Sequence, residues 1–321
     1  MKYKLFGKNT GLYASEMILG AAMLGTRSGY GASPEEATQI LQTYADAGGN
    51  FIDTSDRYQL GESEELIGKF IAQQRSNFIV SSKYTQSHEA SPAKSNFGNH
   101  RKAMRQAVES SLKRLNTDYI DLYMPHYDDG VTPADEISRG LEDLITSGKV
   151  LYAGLSNFPA WKAAAIASQL KISAIQMEYN LTQRTADREL LPMANHFGLG
   201  IMMYSPLAGG LLTGKYREGK SGRINNSNQD YQENENVKAI IDKLQLLAAQ
   251  METTAGQVAQ AWILSKNTFP IIGARSIQHV KEGLQAADLN LSPETLKELD
   301  DLSKVSLGYP HDLLASVQNS R

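Results

Sequence analysis

One pattern constrains the fold of this chain more than any other: short apolar runs that end in polar residues alternate with segments whose apolar side chains recur at helical spacing. The runs read as strands at Met17–Leu24, Asn50–Asp53, Phe78–Val80, Tyr119–Met124, Val150–Leu155, Ile172–Met177, Ile201–Tyr204 and Phe269–Ile272. Ser33-Pro34-Glu35-Glu36 offers a cap, a proline at the first helical position and first-turn acids, and Gly48-Gly49 ends that helix. Thr132-Pro133 reads as the cap of a later helix, and Glu62–Phe70, His100–Leu115, Trp161–Leu170, Arg188–Phe197 and Ile277–Ala287 carry further apolar stripes.

Eight buried strands alternating with helices need parallel pairing, because right-handed crossovers put each helix on the outer face. An open doubly wound sheet and a closed (β/α)8 barrel both satisfy the count. Two features favour the barrel: no G-x-G-x-x-G stands at a strand-to-helix turn, and polar residues follow the C-terminal ends of strands spread along the whole chain. Only a barrel gathers all those ends on one face. The expected architecture is an α/β chain forming a TIM barrel, residues 1–321 as a single domain, with an N-terminal β-hairpin from Tyr3–Phe6 and Leu12–Ile18 and an extra C-terminal helix capped by Ser292-Pro293-Glu294.

Composition narrows the partners. A hydrophobic content of 41% supports a large core, and a formal charge of −3 offers no basic footprint for nucleic acid or for a membrane surface. No apolar run approaches membrane-spanning length, and the N-terminus has no apolar leader. The absence of cysteine removes disulfides, thiolate nucleophiles and zinc–thiolate sites together. These features point to a cytoplasmic protein with a small-molecule partner, and they do not indicate an oligomeric state.

The strand ends supply the chemistry. Asp53 and Tyr58 follow one strand, Lys83 the next and His126 the one after, so a barrel sets them side by side at one rim. A lysine at the inner end of a buried strand is costly unless paired, and Asp53 is the nearest partner. A cation beside a tyrosine lowers its titration from near ~10 by roughly 1–3 units. With a histidine donating to an oxygen, such a group suits protonation of a carbonyl while something else attacks its carbon. Taken singly, Lys83 could snorkel, His126 could be a satisfied core histidine, and Tyr58 could be packing.

The chain resembles the aldo-keto reductase superfamily over nearly its whole length. Asp53-Thr54-Ser55 with Tyr58 is similar to the family's D-T-A-x-x-Y segment, and Gly61-Glu62-Ser63-Glu64 with Gly68 to the G-x-S-E-x-x-x-G that follows it. Tyr119-Ile120-Asp121-Leu122-Tyr123 leading to His126 looks like Y-I-D-L-Y-x-x-H, and Gly154-Leu155-Ser156-Asn157, Gln176, Tyr204-Ser205-Pro206-Leu207 and Gly273-Ala274-Arg275 keep the family order. The resemblance implies NADPH-dependent reduction of an aldehyde or ketone without a metal, with Tyr58 as proton donor, Lys83 lowering its pKa, Asp53 orienting Lys83 and His126 positioning the carbonyl. It further implies that Ser156, Asn157 and Gln176 bind the carboxamide of NADP(H) and that Tyr204 stacks on the nicotinamide. Ser205, Pro206 and Leu207, with the loop from Gly209 to Lys215, would line the pyrophosphate, and Gly273 with Arg275 would meet the adenosine 2′-phosphate. Two departures stand out. The first strand's G-T-x reads Gly20-Ala21-Ala22, removing a hydroxyl near the cofactor, and in the adenine segment His279 and Gly283 replace a frequent glutamine and asparagine while Glu282 keeps the acidic position.

Other readings compete. Gly209–Lys215 fits a P-loop until Tyr216 takes the place of the magnesium-binding Ser or Thr, and the histidines show no metal-site spacing. The polar segment Tyr216–Asn236 reads either as a solvated loop or as a lid over the pyrophosphate. Tyr30, Tyr84, Phe97 and Tyr127 lie on loops that could wall a carbonyl pocket. An NADP(H)-sensing subunit on the same fold, or a Schiff-base lyase using Lys83, are the alternatives to a reductase.

Overall fold

A computed structural model of the chain describes residues 1–220, 222 and 233–318. Its strands are β1 (Tyr3–Leu5), β2 (Tyr13–Ser15), β3 (Ile18–Gly20), β4 (Phe51–Asp53), β5 (Ile79–Tyr84), β6 (Ile120–Pro125), β7 (Val150–Ser156), β8 (Ala174–Glu178), β9 (Gly200–Tyr204) and β10 (Phe269–Gly273). The eight from β3 to β10 pair in parallel and close into a barrel in the order β10-β3-β4-β5-β6-β7-β8-β9. This is the (β/α)8 barrel the alternation implied. β1 and β2 form the antiparallel hairpin ahead of it.

The pleat decides which side chains face the lumen. Phe51, Ile79, Leu122, Ala174, Met202 and Phe269 pack together inside the barrel, and Phe6 from the hairpin meets the rings of Phe51 and Phe269 edge-on at 5.3 and 5.1 Å. Alternate residues such as Ile52, Val80 and Tyr123 belong to the separate core under the helices. With a period of two, Asp53 follows Phe51 inward, Ser81 and Lys83 follow Ile79, and Gln176 follows Ala174. An apolar floor thus fixes a polar upper layer.

The surrounding helices are α1 (Pro34–Asp46), α2 (Glu62–Ile71), α3 (Arg101–Leu115), α4 (Ala134–Thr146), α5 (Ala160–Gln169), α6 (Leu190–Phe197), α7 (Glu235–Gln250), α8 (Ala255–Leu264), α9 (Ile277–Gln285), α10 (Pro293–Leu302) and α11 (His311–Gln318). Ser33 and Glu36 close a capping box on α1, and Ser292 caps α10. Thr132 does not cap α4: its hydroxyl donates to Asp129 Oδ2 at 2.6 Å, and Pro133 takes the N-cap position without a side-chain bond. Two helices unread from the sequence, α7 and α8, stand between β9 and β10, and Trp262 of α8 is fully buried. Most of the segment proposed as a lid, residues 221 and 223–232, lies outside the described residues.

Candidate active site

Asp53, Lys83, Tyr58 and His126 meet at the C-terminal rim of the barrel. Lys83 is fully buried, and its Nζ donates to Asp53 Oδ2 at 2.7 Å, to the Thr54 carbonyl at 2.8 Å and to the Tyr58 hydroxyl at 3.4 Å. Burial works against its charge, but the Asp53 carboxylate and the Tyr58 oxygen outweigh it and hold the ammonium above its ordinary pKa. The other carboxylate oxygen of Asp53 accepts from Ser81 Oγ at 2.6 Å and from Gln176 Nε2 at 3.0 Å. A buried ion pair saturated in this way avoids the larger part of its desolvation cost.

The backbone after Tyr58 is bent out of ordinary geometry to present it. Gln59 (φ 50°), Leu60 (φ 54°) and Gly61 (φ 88°) lie in succession in the left-handed region, a conformation that costs a non-glycine residue about 1 kcal/mol or more. Gln59 pins the bend. Its Nε2 donates to the carbonyls of Ala22 (3.2 Å) and Tyr30 (3.0 Å), and its Oε1 accepts from Ser28 N at 3.0 Å.

His126 directly follows β6, and its ring meets that of Tyr58 edge-on at 5.6 Å. Its backbone N–H donates to Tyr84 O and to Thr85 Oγ1. Burial, with the Lys83 charge added, drives the imidazole down to about 3, so the ring is neutral at physiological pH. The Nδ1 atom lies 3.2 Å from Ser55 Oγ.

The residues read as the carboxamide site join the same network. Ser156 ends β7, and Asn157 beside it has a left-handed φ of 54°. Asn157 Nδ2 donates to His126 O (2.9 Å) and to Ser156 Oγ (3.1 Å), while its Oδ1 accepts from the Tyr204 hydroxyl at 2.9 Å. Gln176 must turn its nitrogen to the Asp53 carboxylate, which leaves its carbonyl oxygen for an incoming donor such as an amide NH2. Gly20 and Ala21 stand beside Asp53 through the β3–β4 pairing and the Ala21 N to Asp53 O bond, and Ala22 receives Gln59.

A second group lies beyond β9 and β10. Ser205 is again left-handed (φ 53°), and its carbonyl accepts from Asn180 Nδ2; after Pro206 and Leu207, the turn passes Ala208, Gly209 and Gly210, all at positive φ. Lys215 lies close enough to Arg275 that burial first and the Arg275 charge second lower its pKa. Arg275 rests over the Tyr30 ring at 4.6 Å, and its backbone N–H donates to His279 Nδ1 at 3.4 Å. Neither Lys215 nor Arg275 forms an ion pair among the described residues. A Cβ added at Gly273 would meet open space, so the strand end beside them is unobstructed. This donor set fits a phosphorylated dinucleotide. Glu282 is turned to Gln278, which donates to it at 2.8 Å, and it reaches His279 only through its charge.

Several residues here were not singled out from sequence. Ser81 and Gln59 bind only partners set by the fold, and Ser55 enters from the sequence only as part of the Asp53-Thr54-Ser55 segment, with no role of its own. One expectation is corrected: Tyr84 is no pocket wall, because it is fully buried and stacks on Tyr123 at 5.2 Å, inside the helix–barrel core. Tyr30 serves under Arg275, and Tyr127 lies 6.3 Å from the His126 ring. Among the described residues no helix is long and apolar enough to cross a membrane.

Comparison with known proteins agrees with this architecture. The chain is 34% identical to norsolorinic acid reductase of Aspergillus flavus, over 97% of this chain and 84% of the relative. It is 32% identical to an aryl-alcohol dehydrogenase [NADP(+)] of Phanerodontia chrysosporium, over 97% and 88%. It is 34% identical to an oxidoreductase of Bacillus subtilis, YrpG, over 94% and 96%. The model of the aldo/keto reductase family matches residues 16–304, which together with these identities shows that the chain belongs to that family.

Proposed function

We propose that this protein reduces the carbonyl group of an aldehyde or ketone with NADPH, Tyr58 giving the proton. The observation that carries the reading is the buried contact of Lys83 Nζ with Asp53 Oδ2 and the Tyr58 hydroxyl. The cofactor supplies the hydride when bound. Asp53 keeps Lys83 charged, and that charge stabilises the phenolate oxygen left when Tyr58 releases its proton. His126 is neutral at physiological pH and so has a hydrogen bond to offer the carbonyl oxygen but no excess proton to release. That division leaves proton transfer to Tyr58.

Ser156, Asn157 and Gln176 would hold the carboxamide, Tyr204 would lie against the nicotinamide ring, and Ser205, Pro206, Leu207, Gly209 and Lys215 would follow the pyrophosphate. Gly273 and Arg275 would receive the 2′-phosphate, with His279 and Glu282 near the adenosine. Arg275, a fork of donors without a carboxylate partner among the described residues, supports a preference for NADP over NAD. The name of the Phanerodontia chrysosporium relative carries the same cofactor. The names of the relatives place aromatic aldehydes and ketones first in a substrate panel.

The test is loss of NADPH absorbance against that panel. Tyr58→Phe is expected to lower kcat by about 10²–10⁴ while leaving NADPH affinity intact. Full turnover in Tyr58→Phe would remove the proposed proton donor.

A further inference from the structure

Just after β4, the Ser55 hydroxyl stands at a junction. It accepts from Arg57 N at 3.2 Å, and its single proton faces three acceptors: His126 Nδ1 at 3.2 Å, Asp56 Oδ1 at 3.3 Å and the Lys83 carbonyl at 3.4 Å. Ser55 and Asp56 are both buried, and Asp56 Oδ2 has no hydrogen-bond partner among the described residues.

The charges around Asp56 come from several elements. α2 contributes Glu64 and α3 contributes Arg114, whose Nε donates to Glu64 at 2.7 Å; Ser82 of β5 also donates to Glu64, at 2.5 Å. β6 contributes Tyr123, whose buried hydroxyl is unpartnered among the described residues and whose ring stacks on Tyr84 of β5. Lys83 is already bound to Asp53 on the lumen side. One partly exposed guanidinium thus faces two buried carboxyls, and Glu64 takes it. Burial and the Glu64 charge push Asp56 up to about 7, against the pull of Arg114.

We infer that Ser55 and Asp56 are positioning residues for His126: the protonation of Asp56 decides, through the Ser55 hydroxyl, which ring nitrogen carries the hydrogen. Protonated Asp56 donates to Ser55 Oγ, Ser55 donates to His126 Nδ1, and the ring hydrogen sits on Nε2, the nitrogen left to face a carbonyl oxygen. Ionised Asp56 draws the Ser55 proton to itself. The histidine must then carry its hydrogen on Nδ1 to satisfy Ser55, and Nε2 has nothing to donate. The step balances in protons: the Asp56 O–H bond breaks and its proton leaves to solvent. On the neutral ring the Nε2–H bond is exchanged, through solvent, for an Nδ1–H bond, and Ser55 keeps its own O–H bond and only turns it.

The inference rests on the reductase reading only for the use made of Nε2. Its test is therefore spectroscopic: nitrogen NMR of the imidazoles in 15N-histidine protein without substrate, with the His126 signals assigned by His126→Gln. The wild type is expected to show Nε2–H at acidic pH and to move toward Nδ1–H as pH rises through about 7. Asp56→Asn, whose amide NH2 imitates the protonated acid, should keep Nε2–H up to about pH 9. Ser55→Ala, the residue of the family segment and a small buried change, should abolish the pH-linked shift. For a carbonyl that is turned over, wild-type kcat should fall about fivefold across the same transition, the worth of one lost hydrogen bond, and that fall should be absent in Asp56→Asn. A tautomer that does not change with pH in the wild type, or a shift that survives Asp56→Asn, overturns the inference. The expected shifts in a protein that reduces no carbonyl would uphold it and sink the functional reading instead.

Discussion

At the Lys83 end of the site a buried cation has its anion within the chain, 2.7 Å away, whereas at the other end Lys215 and Arg275 face one another with no ion pair among the described residues. The first group sits on strands and is shielded from water. The second sits on loops and at strand ends, with Arg275 exposed and lying on Tyr30. A neutralised cluster keeps its geometry whether or not a ligand is present, so it suits chemistry that needs fixed distances. Like charges held together instead favour an incoming anion, and the attraction adds to affinity rather than to the chemical step.

Breaking the first end should cost most. Lys83→Met is expected to reduce turnover by about 10²–10⁴ and folding stability by roughly 3 kcal/mol, because it strands the Asp53 carboxylate. Adding Asp53→Asn should restore stability, measured by urea denaturation, without restoring turnover; recovery of both would mean that the pair is only structural. At the second end Arg275→Ala should weaken NADPH binding by about 10–100-fold, leave NADH binding and kcat nearly unchanged, and flatten the salt dependence of NADPH affinity. An equal loss for both cofactors, by fluorescence titration, would dissolve the distinction between the ends.

A smaller effect concerns acid. His126 has a folded pKa of about 3, below the ordinary unfolded value of about 6.5, so below pH 6.5 the unfolded chain takes up a proton that the folded one refuses. Stability should therefore be lost as pH falls from about 6.5 to about 3, by on the order of 1–2 kcal/mol at pH 5, and His126→Gln should remove that portion of the loss in Tm against pH. An unchanged acid slope in His126→Gln would show that the ring is not held neutral.

The barrel was legible because its signal is repeated: each apolar run is short, ends polar and precedes a periodic helix, so an error at one run leaves the others standing. Asp53, Lys83 and His126 were legible because a strand end fixes their position to within a residue, and the pleat then fixes their direction. The bond from Gln176 to Asp53 joins residues 123 apart in the chain and exists only after the ring closes. Asp56 was hidden for a different reason. In a polar stretch it looks like a turn residue, and only the packing of α2, α3 and β6 shows that it has left water. Helices α7 and α8 were passed over because they follow a long polar segment without an intervening strand to mark the repeat. Tyr84 misled because loop and strand meet at that residue; one position decided between pocket and core.

The Gln176–Asp53 bond also has a mechanical side. In the ring of strands β4 and β8 are four places apart in either direction, so this bond runs across the lumen. Ladder bonds between neighbours set the circumference but leave the ring free to flatten into an ellipse. A tie between opposite members resists that flattening where it is fastened, at the rim, while the apolar floor resists it by filling space. Gln176→Ala should then be felt as faster amide exchange at the upper ends of β4 and β8, with the lower ends unaltered.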